Sequence, residues 1–189
     1  MKGIIMQRKD DKYLTPLKTI GGTDANNIAK GKLYEVWINK IHPEKAPDLS
    51  GIFPVNLGVE TEGFNREWFM EKTEKIVVMP EKTFHRDGIS FGHCRPDGII
   101  KNESAILECK HTNSYSNIKK IMATYYYQIQ WNMWITKTTK CYMSVIFGNQ
   151  WDYWEVDPDI DKTTDLVIKV EDFWKKYIIP RIEPPRGTE

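Results

Sequence analysis

Three residues of this 189-residue chain have the types and spacing for hydrolytic chemistry: Asp97, Glu108 and Lys110. Glu108 and Lys110 close the stretch Ser104-Ala105-Ile106-Leu107-Glu108-Cys109-Lys110, which reads as a strand. Alternation along a strand puts Glu108 and Lys110 on one face and Leu107 and Cys109 on the other. Asp97 opens a second short strand, Asp97-Gly98-Ile99-Ile100, joined to the first by a turn around Lys101-Asn102-Glu103. If the two pair as a hairpin, Asp97 reaches the face that carries Glu108. Converging carboxylates repel each other unless a positive group lies between them. Mg²⁺ suits that place, and Mn²⁺ can substitute, because hard cations take carboxylate and carbonyl oxygens. The backbone carbonyl of Cys109 is a natural third ligand. Lys110 then stands where it can orient an attacking water and stabilise charge on a phosphate. Alone, an acid and a lysine two apart are an everyday solvated pair, and Asp97-Gly98 alone is a turn signal. The combination is what points to a site.

The elements that must position these residues follow from pattern. Gly21-Gly22 breaks the chain, and Thr23 or Asp24 is expected to cap a helix running to about Lys40. The proline-rich stretch from His42 to Asn56 reads as a loop. A second helix is expected from about Leu57 to Thr73, with Phe64, Trp68 and Phe69 at helical spacing. Strand character appears at Lys75 to Met79, and a hairpin or turn region from Phe84 to Arg95, punctuated by Asp87-Gly88. After the Glu108 strand come a long helix from Ile118 to Thr136 and strands at Cys141 to Phe147 and Trp151 to Val156. A closing helix runs from Asp161 to Ile179. The order predicts a single α/β domain over residues 1–189, its core at about 20–180, with a mixed central sheet flanked by helices.

Composition sets bounds. Hydrophobic residues make up 40% of the chain, including seven Trp and nine Tyr, which suffices for one core. No apolar run is long enough to cross a bilayer, and the start lacks a signal-peptide pattern, so the cytoplasm is the expected compartment. Cys94, Cys109 and Cys141 form no CxxC pair and read as free buried thiols rather than a zinc or iron–sulfur site. The net charge of +1 neither favours nor excludes nucleic acid, so any DNA-binding field must be local.

Pro96-Asp97…Glu108-Cys109-Lys110 resembles the PD-(D/E)xK motif of the restriction-endonuclease-like nucleases. Three further segments narrow the resemblance to the phage-type alkaline exonucleases, the lambda-exonuclease and YqaJ-like viral recombinase family. They are Gly21-Gly22-Thr23-Asp24-Ala25, Gly58-Val59-Glu60-Thr61-Glu62, and Tyr127-Gln128-Ile129-Gln130-Trp131-Asn132-Met133-Trp134-Ile135-Thr136. They occur in the family's order between about residues 20 and 156. The resemblance implies a restriction-endonuclease-like fold and a metal-dependent 5′-to-3′ exonuclease on linear double-stranded DNA. Such an enzyme leaves 3′ single strands for recombination.

The resemblance also implies roles. Glu62 is a further metal-site acid beside Asp97 and Glu108. Gln130 is the active-site glutamine, while Gln128 projects elsewhere and reads as structural. Thr23 binds the terminal 5′-phosphate, with a plain helix cap as the competing use of its hydroxyl. The family's usual arginine before the Gly-Gly-Thr segment is replaced by Pro16-Leu17-Lys18. Lys18 is the substitute phosphate contact, without an arginine's planar fork. Arg95 flanks the site as a DNA contact. His111 reads as a phosphate contact or a structural histidine. Met133 and Trp134 read as core. Implied partners are DNA, further copies of the chain (a trimeric ring being one form) and a single-strand annealing protein. The competing readings are an endonuclease on the same fold and a DNA-binding module with a decayed site.

Overall fold

The computed structural model describes residues 19–186, so Lys18 lies outside the described residues. Helix α1 is Gly22–Ala29 and α2 is Leu33–Ile41, where the sequence suggested one helix. The chain turns between them at Gly31, whose φ of 79° is the left-handed conformation that glycine adopts without steric cost. The cap is Gly21, not Thr23 or Asp24. Asp24 sits one turn in and accepts the Gly21 N–H at 2.9 Å. It also pairs with Lys40 of α2 at 2.6 Å, which ties the two halves together. Helix α3, Phe53–Thr73, starts earlier than the expected Leu57. Pro54 lies in its first turn, where a missing N–H costs nothing.

Strands β1 (Val77–Val78), β4 (Gly98–Ile100), β5 (Ala105–Thr112), β6 (Lys140–Phe147) and β7 (Gln150–Val156) form a sheet in the order β1-β4-β5-β6-β7. β5 and β6 are parallel and the other neighbours antiparallel. The hairpin β2 (Phe84–His85) and β3 (His93–Cys94) stands apart. Helix α4, Ile118–Thr136, is the crossover between β5 and β6, and α5, Ile160–Phe173, follows β7. Val77 lies so close to Gly98 that a side chain there would run into its Cγ1, so glycine is what lets β1 dock on β4.

The sheet has two covered faces. On one, Ile106, Met143 and Val145 pack on Ile121, Ile129 and Met133 of α4. On the other, Leu107, Cys109 and Tyr142 pack on Phe69 of α3. Beyond α4, residues from α1, α2 and α5 meet Trp131 and Ile135 in a further apolar layer. The three cysteines are free and buried, as read from their spacing. Among the described residues no helix is long and apolar enough to cross a membrane.

Asn65 of α3 is buried beneath the sheet with all of its hydrogen-bonding capacity used. Its Nδ2 donates to the carbonyls of Lys110 and Ser144, each at 3.1 Å. Its Oδ1 accepts from Ser144 Oγ at 2.6 Å and Trp151 Nε1 at 3.1 Å. This residue clamps α3 to β5 beside Lys110. Asn65→Ala is expected to cost about 2–4 kcal/mol, because it leaves buried polar groups unpaired. Urea unfolding of the variant beside the wild type measures it.

Candidate active site

β5 alternates as the sequence required. Ile106, Glu108 and Lys110 share the α4 side, while Leu107 and Cys109 face α3. β4 pairs with β5 only as far as Gly98↔Leu107. One step further, the Asp97 side chain takes over the strand edge, and its Oδ2 accepts the Cys109 N–H at 2.8 Å. A residue's N–H and C=O leave a strand on the same edge, so the Cys109 carbonyl belongs to the Asp97 side. Lys110 Nζ lies 3.0 Å from Glu108 Oε2 and 4.0 Å from Asp97 Oδ2. The positive group between the two carboxylates is thus the lysine itself.

Helix α4 supplies the rest. Tyr125, Gln128 and Asn132 recur at helical spacing and face β5. The Tyr125 ring lies under Lys110 Nζ, 5.0 Å from ring centre to nitrogen. Gln128 Nε2 donates to Glu108 Oε2 at 3.2 Å, and Asn132 Nδ2 donates to Glu108 Oε1 at 2.6 Å. The glutamine that faces the acids is therefore Gln128. Gln130 is buried on another side of α4, where its amide is spent on the start of α5. It donates to the Asp157 carbonyl at 3.0 Å and accepts from Asp159 N at 2.8 Å and Thr163 Oγ1 at 3.2 Å. Two residues along a helix is about 200° around its axis, which separates the two amides. Sequence reasoning also passed over Asn132. Its spacing of four from Gln128 was the available signal.

The other expected residues surround this centre. Glu62 lies on α3 and is 3.8 Å from Arg66. Arg66 is buried and donates to the Asp97 carbonyl at 3.2 Å, so it ties the helix to the acid. The negative charges of Asp97, Glu62 and Glu108 all act on Cys109, whose thiol burial pushes well above the ordinary range. Thr23 is exposed in the first turn of α1. Arg95 is exposed two residues before Asp97. His111 Nδ1 is 3.0 Å from Thr61 Oγ1 of α3, which gives the ring a structural anchor. Met133 is core, and Trp134 is half-buried against the core with Arg86 stacked on it.

Burial raises the carboxyl pKa of Glu108; Lys110 opposes that rise and Asp97 adds to it. Burial acts to lower Lys110, yet the charges of Glu108 and Asp97 outweigh it and hold the ammonium above the usual lysine range. The described residues contain no ready-made cluster of three His, Cys, Asp or Glu side chains around one point. Two carboxylates and a strand-edge carbonyl nevertheless make an all-oxygen donor set, the kind a hard divalent cation takes. The desolvated Glu108 also gains from any positive charge placed beside it. These residues fit such an ion.

The sequence pattern of the YqaJ-like viral recombinase domain matches residues 14–139, a stretch that includes every member of this centre. The chain belongs to that family. An uncharacterised family relative, YqaJ of Bacillus subtilis (strain 168), is 27% identical over 192 aligned positions. The alignment takes in 90% of this chain but only 57% of that protein's length. Among solved structures, the alkaline exonuclease LHK-Exo of Laribacter hongkongensis superposes with a TM-score of 0.72 at 16% identity. That match covers 90% of this chain and 93% of the other. LHK-Exo in complex with dAMP gives 0.73. A phage-related exonuclease from Haemophilus somnus 129PT gives 0.68 at 12% identity, covering 86% of this chain and 96% of the other. The fold is the restriction-endonuclease-like one expected from the sequence, with its five-stranded central sheet between helices.

Gln130→Ala is expected to cost roughly 2–3 kcal/mol of stability and Gln128→Ala less, because the first strips three hydrogen bonds from a buried contact and the second removes one of several donors to Glu108. Equal losses in denaturant titrations would contradict the assignment. His93 packs against Gly21 and bonds Thr19 Oγ1 through Nδ1 at 2.8 Å. Burial, with Lys40 nearby, lowers its pKa from 6.5 to about 4. The folded form therefore refuses a proton that the unfolded chain accepts. Stability should be unaffected above pH 6.5 and fall as pH drops from there towards 4. The loss reaches at most about 3 kcal/mol. His93→Gln should flatten that part of the stability–pH curve relative to wild type.

Proposed function

We propose that the chain is a divalent-metal-dependent deoxyribonuclease, and specifically a 5′-to-3′ exonuclease on linear double-stranded DNA that generates 3′ single strands for phage-type recombination. The observation that carries this reading is the convergence of Asp97 and Glu108 on Lys110 in the middle of β5. Membership of the recombinase family and the exonuclease fold support it.

Asp97, Glu108 and the Cys109 carbonyl would hold Mg²⁺, with Glu62 as a further acid from α3. The ion, when bound, lowers the pKa of an attacking water and stabilises the leaving oxygen. Lys110, freed from its carboxylates, orients that water and stabilises charge on the phosphate. Gln128 serves beside it, as an amide that can both donate and accept. Thr23 sits among the free amides of the first turn of α1, an end of a helix suited to a phosphate. Lys18, Arg95 and His111 supply further contacts to DNA. The enzyme acts in the cytoplasm as a homo-oligomer around DNA and hands its single strand to an annealing protein.

The test uses three substrates: linear duplex with 5′-phosphate, the same duplex without it, and a closed circle. Nucleotide release from the linear forms is expected in Mg²⁺, with the phosphorylated end preferred. Glu108→Gln and Lys110→Met should each reduce it by roughly 10²-fold or more. Closed circles cut as fast as linear DNA would replace the exonuclease with an endonuclease. No hydrolysis in either Mg²⁺ or Mn²⁺ would leave a DNA-binding module with a decayed site.

A further inference from the structure

Asn132 has a split environment. It is 3% exposed, and its Nδ2 makes a 2.6 Å hydrogen bond to Glu108 Oε1. Its Oδ1 is buried without a hydrogen-bond partner. The NH₂ end of the amide faces Glu108, whose carboxylate oxygens accept from it, from Gln128 and from Lys110. The orphan oxygen is left pointing at α1. There it lies against Gly22, so closely that a Cβ on Gly22 would collide with it and press on Gln128 Cγ at 3.1 Å. A buried unpaired acceptor is costly, so it persists where something else requires it.

We propose that Asn132 is a positioning residue for the acid site, which holds Glu108 from behind and, through its contact with Gly22, ties the aim of that carboxylate to the first turn of α1. The bond to Glu108 is short and buried. Gln128, one turn earlier on the same face of α4, grips the other oxygen of the carboxylate. Gly22 is the first residue of α1, and the lack of a side chain there is what allows Asn132 into place. The end of α1 that would face a DNA phosphate is thus packed directly on the residue that aims the acid. A shift of α1 by a fraction of an ångström moves Asn132, and with it Glu108.

The proposal rests on reading Glu108 as a metal-binding acid, and the test separates the two ideas. Four forms of the full chain are compared: wild type, Asn132→Ala, Gly22→Ala and the double variant. Binding of Mn²⁺ to the DNA-free protein is followed by loss of the free-ion EPR signal, and hydrolysis of linear duplex is measured in parallel. Each single variant is expected to weaken Mn²⁺ binding and slow hydrolysis about 10–100-fold, the usual effect of removing a group that orients a metal ligand. The double variant should be close to Asn132→Ala, because the collision with the Asn132 amide is then gone and only the 3.1 Å contact with the flexible Gln128 side chain remains. Asn132→Ser, which keeps a hydroxyl donor, should recover part of the loss. It replaces Asn132→Ala in the cycle if that variant does not melt cooperatively. A merely structural Asn132 would lower the melting temperature and leave the Mn²⁺ constant at its wild-type value, which overturns the proposal. So would losses that multiply in the double variant. A wild-type chain that binds no Mn²⁺ and cuts no DNA sinks the nuclease reading itself.

Discussion

The structure turns on one constraint: a glutamate carboxylate buried in an apolar sheet has to find compensation on every side. Burial of Glu108 favours its neutral form, and the nearby Asp97 pushes the same way. Removing one partner from such a buried group leaves an uncompensated charge, which costs far more than an exposed pair contributes. The fold answers with Lys110 on the same strand, Gln128 and Asn132 from the crossover helix, and the Cys109 amide, which occupies Asp97. The stretch of β5 that bears this centre is also where β4 stops pairing, so a side chain rather than a strand finishes its edge.

The surrounding architecture can be understood as support for that arrangement. The parallel step from β5 to β6 requires a long crossover, and α4 fills it, which is how three of its side chains come to lie over Glu108 and Lys110. From the opposite face, Asn65 fixes the Lys110 carbonyl and Arg66 fixes the Asp97 carbonyl. Helix α3 therefore sets both ends of the acid–lysine constellation while carrying Glu62 alongside. Helix α1 packs on the back of α4 and reaches the same centre through Gly22. The carboxylate is gripped from its own strand and from the crossover helix, while α3 fixes its neighbours, so few directions are left in which it can turn.

Part of this was legible in advance. Strand periodicity is two, so the common face of Glu108 and Lys110 needed only the knowledge that the segment is extended. Asp97 was placed by the short turn at Lys101-Asn102-Glu103, which leaves a hairpin as the natural pairing. Helix α4 was different. It is packed against the sheet on one side and against α1, α2 and α5 on others, so apolar residues occur all around it. Around Gln128 and Gln130 no polar face marks the rotational phase, so nothing local separates the two. The break at Gly31 was similarly hidden, because only the packing of α2 and the pairing of Asp24 with Lys40 distinguish a turn from a tolerated glycine.

The sequence by itself determined what depends on neighbours along the chain: the order of most strands and helices, which face of β5 carries the acid and the lysine, and which family the ordered segments resemble. Only the tertiary structure decided what depends on the relative rotation and distance of elements. It put Gln128 rather than Gln130 on the carboxylate, brought Asn132 from 24 residues away to hold it, and set Gly22 against that amide. The physical reason is that backbone geometry fixes a side chain's direction within its own element. Which direction faces the site is chosen by packing among all the elements together.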